Sequence, residues 1–137
     1  MQASDLMTAR PATIRPEATI RQAVALLQDL DVRHLPVVDI EGQLVGMLSD
    51  RDLRALAIPF ISGGESQGTL MTALGSPVSS VMSADVLSVD PEAEVDDIVE
   101  LMLDSKVGAV PVVDRDRGLV GIVSYMDVRR EASFEEG

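Results

Sequence analysis

The stretch Asp39–Asp52, DIEGQLVGMLSDRD, is echoed without a gap by Asp114–Asp127, DRDRGLVGIVSYMD. Asp39 falls on Asp114, Leu44 on Leu119, Gly46 on Gly121, Ser49 on Ser124 and Asp52 on Asp127, each pair 75 positions apart. The same offset lays Met7 on Met82, the Pro-Glu-Ala at Pro16 on that at Pro91, and the Pro-Val-Val-Asp at Pro36 on that at Pro111. One register held across most of two half-chains is an internal duplication. It predicts one supersecondary unit used twice, with two equivalent sites.

The size of the chain, 137 residues, suits one ordinary domain and leaves too little for two independent ones, so the repeats are expected to share a core. Hydrophobic residues make up 46% and charged residues 25%, a globular balance. No apolar run reaches the roughly 18 to 20 residues of a membrane span, and residues 1–6 do not read as a signal peptide. A soluble, cytoplasmic protein is the default expectation. The absence of cysteine excludes disulfides and thiolate chemistry. A net charge of −12 repels phosphate backbones, and three aromatics, Phe60, Tyr125 and Phe134, make no stacking platform, so direct nucleic-acid binding is disfavoured. The charge is uneven: residues 5–54 carry eight acids and six bases, residues 80–129 eleven acids and four bases. The first repeat is therefore the better host for an anion.

Each repeat reads as strand, helix, strand, turn, strand, helix. Thr13-Ile14-Arg15 is extended and stopped by Pro16. Thr19 and Gln22 form a capping box, after which Ile20, Ala23, Val24 and Leu27 mark one helical face. Val95, Ile98, Val99 and Met102 repeat that face, with Asp96 and Asp97 in a solvated first turn where the helix dipole favours acids. Leu35–Val38 and Leu44–Leu48, like Val110–Val113 and Leu119–Val123, are apolar runs flanking a polar turn and predict hairpins, with Pro36 and Pro111 at strand starts or edges. Residues 49–56 and 124–130 close each repeat as helices. Pro59–Gly68 reads as a loop, Thr69–Leu74 as a short helical turn, and the acidic tail from Glu131 as frayed.

The chemistry-bearing motif is Gly46-x-x-Ser49-x-x-Asp52, repeated as Gly121-x-x-Ser124-x-x-Asp127. It sets a glycine in a strand, a hydroxyl at the strand-to-helix junction and a carboxylate three residues on. Glycine permits close approach to the backbone, a helix N-terminus offers N–H groups to an anion, and an aspartate accepts from ribose hydroxyls, a set that suits a nucleoside phosphate. Ser-x-x-Asp is equally a capping box that serves the helix alone.

These repeated motifs, with Asp5-Leu-Met-Thr8, Thr13-Ile-Arg-Pro16 and Arg33-His-Leu-Pro-Val-Val-Asp39, resemble the CBS-domain pair, or Bateman module. The resemblance covers residues 3–57 and 78–131, separated by a linker, 58–77, and followed by the acidic tail, 132–137. It implies an α+β fold of two βαββα-type repeats related by pseudo-twofold symmetry, a disc-like homodimer, and an adenosine-containing regulatory ligand in the cleft between repeats. Ser49 and Asp52 would contact phosphate and ribose, with Thr13, Ile14, His34, Leu35 and Pro36 around base and sugar. Ser124 and Asp127, with Ser88, Val89, Ala109, Val110 and Pro111, form the second, weaker set.

The copies differ where a phosphate would be held, with Arg33, His34 and Arg51 in the first against Gly108, Ala109 and Met126 in the second. Arginine matches phosphate oxygens, so the first repeat is expected to be the nucleotide site. His34, the only histidine, lacks the companions of a metal site or a triad. Met47, Met82, Met102 and Met126 are read as fillers of core or interface gaps. No nucleophile with a base is visible, so no enzyme, catalytic residue, metal or obligatory cofactor is expected. The reading is a regulatory module that senses AMP, or ADP, ATP or S-adenosylmethionine, and signals by conformational change to an effector protein. Its rivals are a ligand-free dimerisation scaffold with vestigial pockets and a sensor of divalent cations.

Overall fold

The computed structural model describes residues 1–61 and 67–136. In chain order the elements are α1 (Ala3–Leu6), β1 (Thr8–Ala9), α2 (Ile20–Leu30), β2 (His34–Val38), β3 (Leu44–Ser49), α3 (Asp50–Ile61) and α4 (Gln67–Leu74). A 3-10 turn (Val78–Ser80), α5 (Val95–Ser105), β4 (Ala109–Val113), β5 (Leu119–Ser124) and α6 (Tyr125–Glu136) follow. The mixed α+β repeat is thus present twice. The α2 start is where the sequence puts it: the Gln22 amide donates to Thr19 Oγ1 at 3.1 Å and the Thr19 amide to Gln22 Oε1 at 2.8 Å. Two expectations are corrected. The closing helix α3 continues through Pro59 to Ile61, so the expected loop shrinks and its centre, residues 62–66, lies outside the described residues. The acidic tail is helical as far as Glu136, since nothing in Glu131–Glu136 breaks the helix.

The compact units do not coincide with the sequence repeats. One unit holds Met1–Pro11, Glu41–Leu44 and Leu87–Gly137; the other holds Ala12–Ile40 and Val45–Val86. The opening segment of each repeat therefore folds with the body of the other. In the first unit β1 pairs with β5, Thr8 opposite Ile122, within the sheet β1-β5-β4, and the Ala3 amide donates to the Ala93 carbonyl at 2.8 Å. In the second, Ser83 bridges Met47 beside the β2-β3 sheet, and the Val78 amide donates to the Ala18 carbonyl at 2.7 Å. Each of these bonds is the other shifted by 75 residues with donor and acceptor exchanged between repeats.

Burial follows the same division, giving two clusters, each of which draws on residues of both repeats. Ile14, Ala23, Leu27, Leu35, Val37, Leu48 and Val78 form one; Ala3, Ile98, Met102, Val110, Val112 and Val123 form the other. Equivalent positions compensate in size. Ile98 stands where the first cluster has Ala23, and Val110, Val123 and Ala3 stand where it has the larger Leu35, Leu48 and Val78. Cores keep total volume more strictly than individual side chains.

Pro36 and Pro111 are fully buried in the middle of β2 and β4, not at strand starts, but both strands are edges of their sheets, as expected. Their carbonyls accept from the amides of Ile14 and Val89, each at 3.1 Å. A residue's N and C=O point to the same side of a strand, so the missing N–H faces the flank where Ile14 or Val89 makes only a single parallel bridge. No ladder bond is lost there.

Candidate functional site

Strand β3 ends at Ser49 and α3 begins at Asp50, placing the first motif at a strand-to-helix junction. The Ser49 amide donates to Asp52 Oδ2 at 2.9 Å, and the Asp52 amide donates to Ser49 Oγ at 3.1 Å. The Asp50 amide donates to the Arg33 carbonyl at 2.8 Å, which ties the helix start to the turn before β2. His34 follows that turn, half-buried, and lies within the fields of Asp52, Arg33, Asp50 and Arg51. Burial lowers its pKa below the ordinary 6.5, with Asp52 pulling the other way and Arg33 adding to the fall. Burial thus favours the neutral ring.

Arg33 and Arg51 are both exposed, and among the described residues neither pairs with a carboxylate. Asp50 is taken by Arg54, through Nε at 3.1 Å. Among the described residues the Ser49 hydroxyl meets no acceptor and Asp52 Oδ1 no donor, so within that set the junction keeps one donor, one acceptor and two cations unspent.

The second junction has the same frame with less left over. Asp127 Oδ2 accepts from the Ser124 amide at 2.9 Å and from the Ser124 hydroxyl at 3.1 Å, while the Asp127 amide donates to Ser124 Oγ at 3.3 Å. Its Oδ1 is held by the Arg130 guanidinium. The Tyr125 amide donates to the Gly108 carbonyl at 2.9 Å, matching the Asp50–Arg33 bond.

The remaining residues divide. Ile14 joins β2 by backbone bonds to Pro36 and Val38, as Val89 joins Pro111 and Val113. Leu35 and Val110 are completely buried in the two cores, backbone and side chain alike. Thr13 and Ile14 line a cavity of about 480 Å³ with Ala18, Gln22 and Leu26, whereas His34, Ser49, Arg51 and Asp52 do not reach it. Of the nine first-repeat residues, this cavity takes Thr13 and Ile14. Of the second set, Ser88 is half-buried, Ala109 and Pro111 are buried, and Asp127 alone lines a cavity of about 280 Å³. The glycines correct an expectation. A Cβ on Gly46 would lie 2.5 Å from Met82 Sδ, and one on Gly121 would meet the same atom of Met7, so the space beside these glycines is filled by the protein itself. Sequence reading passed over Arg130; the signal was its lone appearance, since the position 75 residues earlier is Ala55.

Among the described residues no His, Cys, Asp and Glu side chains group as a metal site, and no helix is long and apolar enough to cross a membrane.

Comparison with known proteins accounts for this frame. The family model for the CBS domain matches residues 3–58 and again 78–133. The CBS domain-containing protein YhcV of Bacillus subtilis is 36% identical over 124 residues, spanning 90% of this chain and 80% of that protein. CBSX2 of Arabidopsis thaliana, solved in complex with AMP, is 31% identical with a TM-score of 0.83, covering 99% of this chain and 98% of that one. The CBS domain pair of protein MJ0100, solved with 5-methylthioadenosine and S-adenosyl-L-methionine, is 27% identical with a TM-score of 0.79, covering 95% and 98%. With both halves matched and the duplicated hydrogen bonds in place, the chain belongs to the CBS domain family and carries a pair of these domains.

Proposed function

We propose that this CBS pair is a regulatory module, not an enzyme, that binds AMP at the Ser49–Asp52 junction and passes the binding event to a partner protein. The observation that carries the reading is the unspent chemistry of that junction. The Ser49 hydroxyl can donate to a phosphate oxygen, Asp52 Oδ1 can accept from ribose hydroxyls, and Arg33 and Arg51, which pair with no carboxylate among the described residues, supply positive charge in a strongly acidic protein. Charge-assisted bonds of this kind are the stronger class and select a phosphate over an uncharged tail. The complex of CBSX2 with AMP supports an adenine nucleotide; that of MJ0100 with methylthioadenosine and S-adenosylmethionine supports the adenosine part alone. Signalling requires only that the ligand prefer one of two conformations.

The test is a thermal-shift and calorimetric series with AMP, ADP, ATP, S-adenosylmethionine and magnesium. AMP at a hundredfold excess over its Kd is expected to add about 2.7 kcal/mol, a rise of several degrees in Tm. Silence from every adenosine ligand sinks the proposal and favours the second reading, a scaffold. That reading has its own support: in both repeats serine and aspartate already serve as complete caps.

A further inference from the structure

We propose that Arg130 decides which repeat accepts a ligand, by occupying the carboxylate of Asp127 on which a ribose would dock. This inference rests on reading the Ser-x-x-Asp junctions as nucleoside sites. Asp127 is 5% exposed and Arg130 73%, so the guanidinium reaches in from the surface to cover a buried acid. Among the described residues each closing helix carries one Arg–Asp pair, but on different aspartates. In α3 Arg54 takes Asp50 and, among the described residues, no cation pairs with Asp52; in α6 the position of Asp50 is Tyr125, and Arg130, which has Ala55 as its counterpart, takes the site aspartate instead.

A carboxylate offers about four acceptor positions, and Asp127 has three filled, two by Ser124 and one by Arg130. A neutral ribose diol would have to displace a charge-assisted bond with weaker neutral ones. Once Arg130 is removed, the cavity beside it is lined by Asp5, Leu6, Asp127 and Glu131, all acidic or apolar. The opened site therefore takes a neutral nucleoside and rejects a phosphate, whereas the first junction takes the nucleotide.

The experiment is titration calorimetry of adenosine into protein saturated with AMP. The native chain is expected to be silent, Arg130→Ala to gain one adenosine site per chain, and Arg130→Lys, which keeps the charge, to remain closed. The reciprocal change, Ala55→Arg at an exposed position three residues beyond Asp52, is expected to weaken AMP binding about tenfold or more, equivalent to about 1.4 kcal/mol. Normal AMP binding with no new adenosine site in Arg130→Ala, or unchanged AMP affinity in Ala55→Arg, overturns the role of Arg130 alone. Failure of AMP to bind the native chain overturns the nucleotide reading. Adenosine titrated alone into native and Arg130→Ala protein then still decides: a site gained by the variant upholds the role of Arg130, and equal silence removes it.

Discussion

Asp52 and Asp127 both accept the backbone amide of the serine three residues earlier, so both must survive any account of the fold. The difference lies in what each has left afterwards. Asp52→Asn keeps the shape of the cap and lessens the acceptor strength; it is expected to weaken AMP binding by about ten- to a hundredfold, the worth of a hydrogen bond to a charged group. Ser49→Ala and Ser124→Ala should each cost about 1 kcal/mol in denaturant unfolding, as lost caps do. Only Ser49→Ala is expected to reduce AMP affinity as well; equal losses of affinity in the two would end the asymmetry. His34 adds a pH dependence. Its folded pKa is depressed below 6.5, so in the window from just above 6.5 down to the lower folded value the unfolded chain binds more protons. The stability it confers is complete above 6.5 and is lost as pH falls. Urea midpoints at pH 7.5 and 5.5 are expected to differ less in His34→Gln than in the native protein.

At the scale of elements, legibility followed the range of the forces. Helix α2 could be placed from Thr19 and Gln22 because its cap is made by residues three apart. The run of α3 through Pro59 could not, because helix breaking by proline depends on position along a helix whose far end the sequence does not mark. The glycines were read as room for a ligand; the methionines that fill that room lie 36 and 114 positions away in sequence, out of reach of any local pattern. Gly46→Ala is expected to cost about 1–3 kcal/mol, the usual penalty of overpacking. Pairing it with Met82→Ala should give a double mutant more stable than the sum of the two losses, because the clash and the filled gap are one interaction. Lys106, at the end of α5, holds a left-handed φ of 56°, a conformation costly for any residue with a Cβ. Lys106→Gly is expected to raise stability by up to about 1 kcal/mol in the same assay.

For the molecule as a whole, the 75-residue offset names equivalent residues but not partners. Gly46 could as well have met Met7 as Met82, for the register is the same; only the fold reveals that the opening segments are exchanged. Arg130 was hidden for the opposite reason, since what lacks a counterpart drops out of an alignment built on counterparts. Removing residues 1–11 is therefore expected to loosen the body of the second repeat, seen as faster amide exchange at Val110 and Val123, while Leu35 and Leu48 keep their protection. The exchange also constrains how such a protein can be divided. A polypeptide carrying one repeat holds an opening segment shaped for a body like its own, and it has no second body in its own chain. Two copies would have to trade segments, and folding would depend on concentration. Joining the copies in tandem turns that trade into an intramolecular event, independent of dilution. Once fused, the halves no longer had to stay identical: one could keep its aspartate open while the other acquired an arginine to cover it.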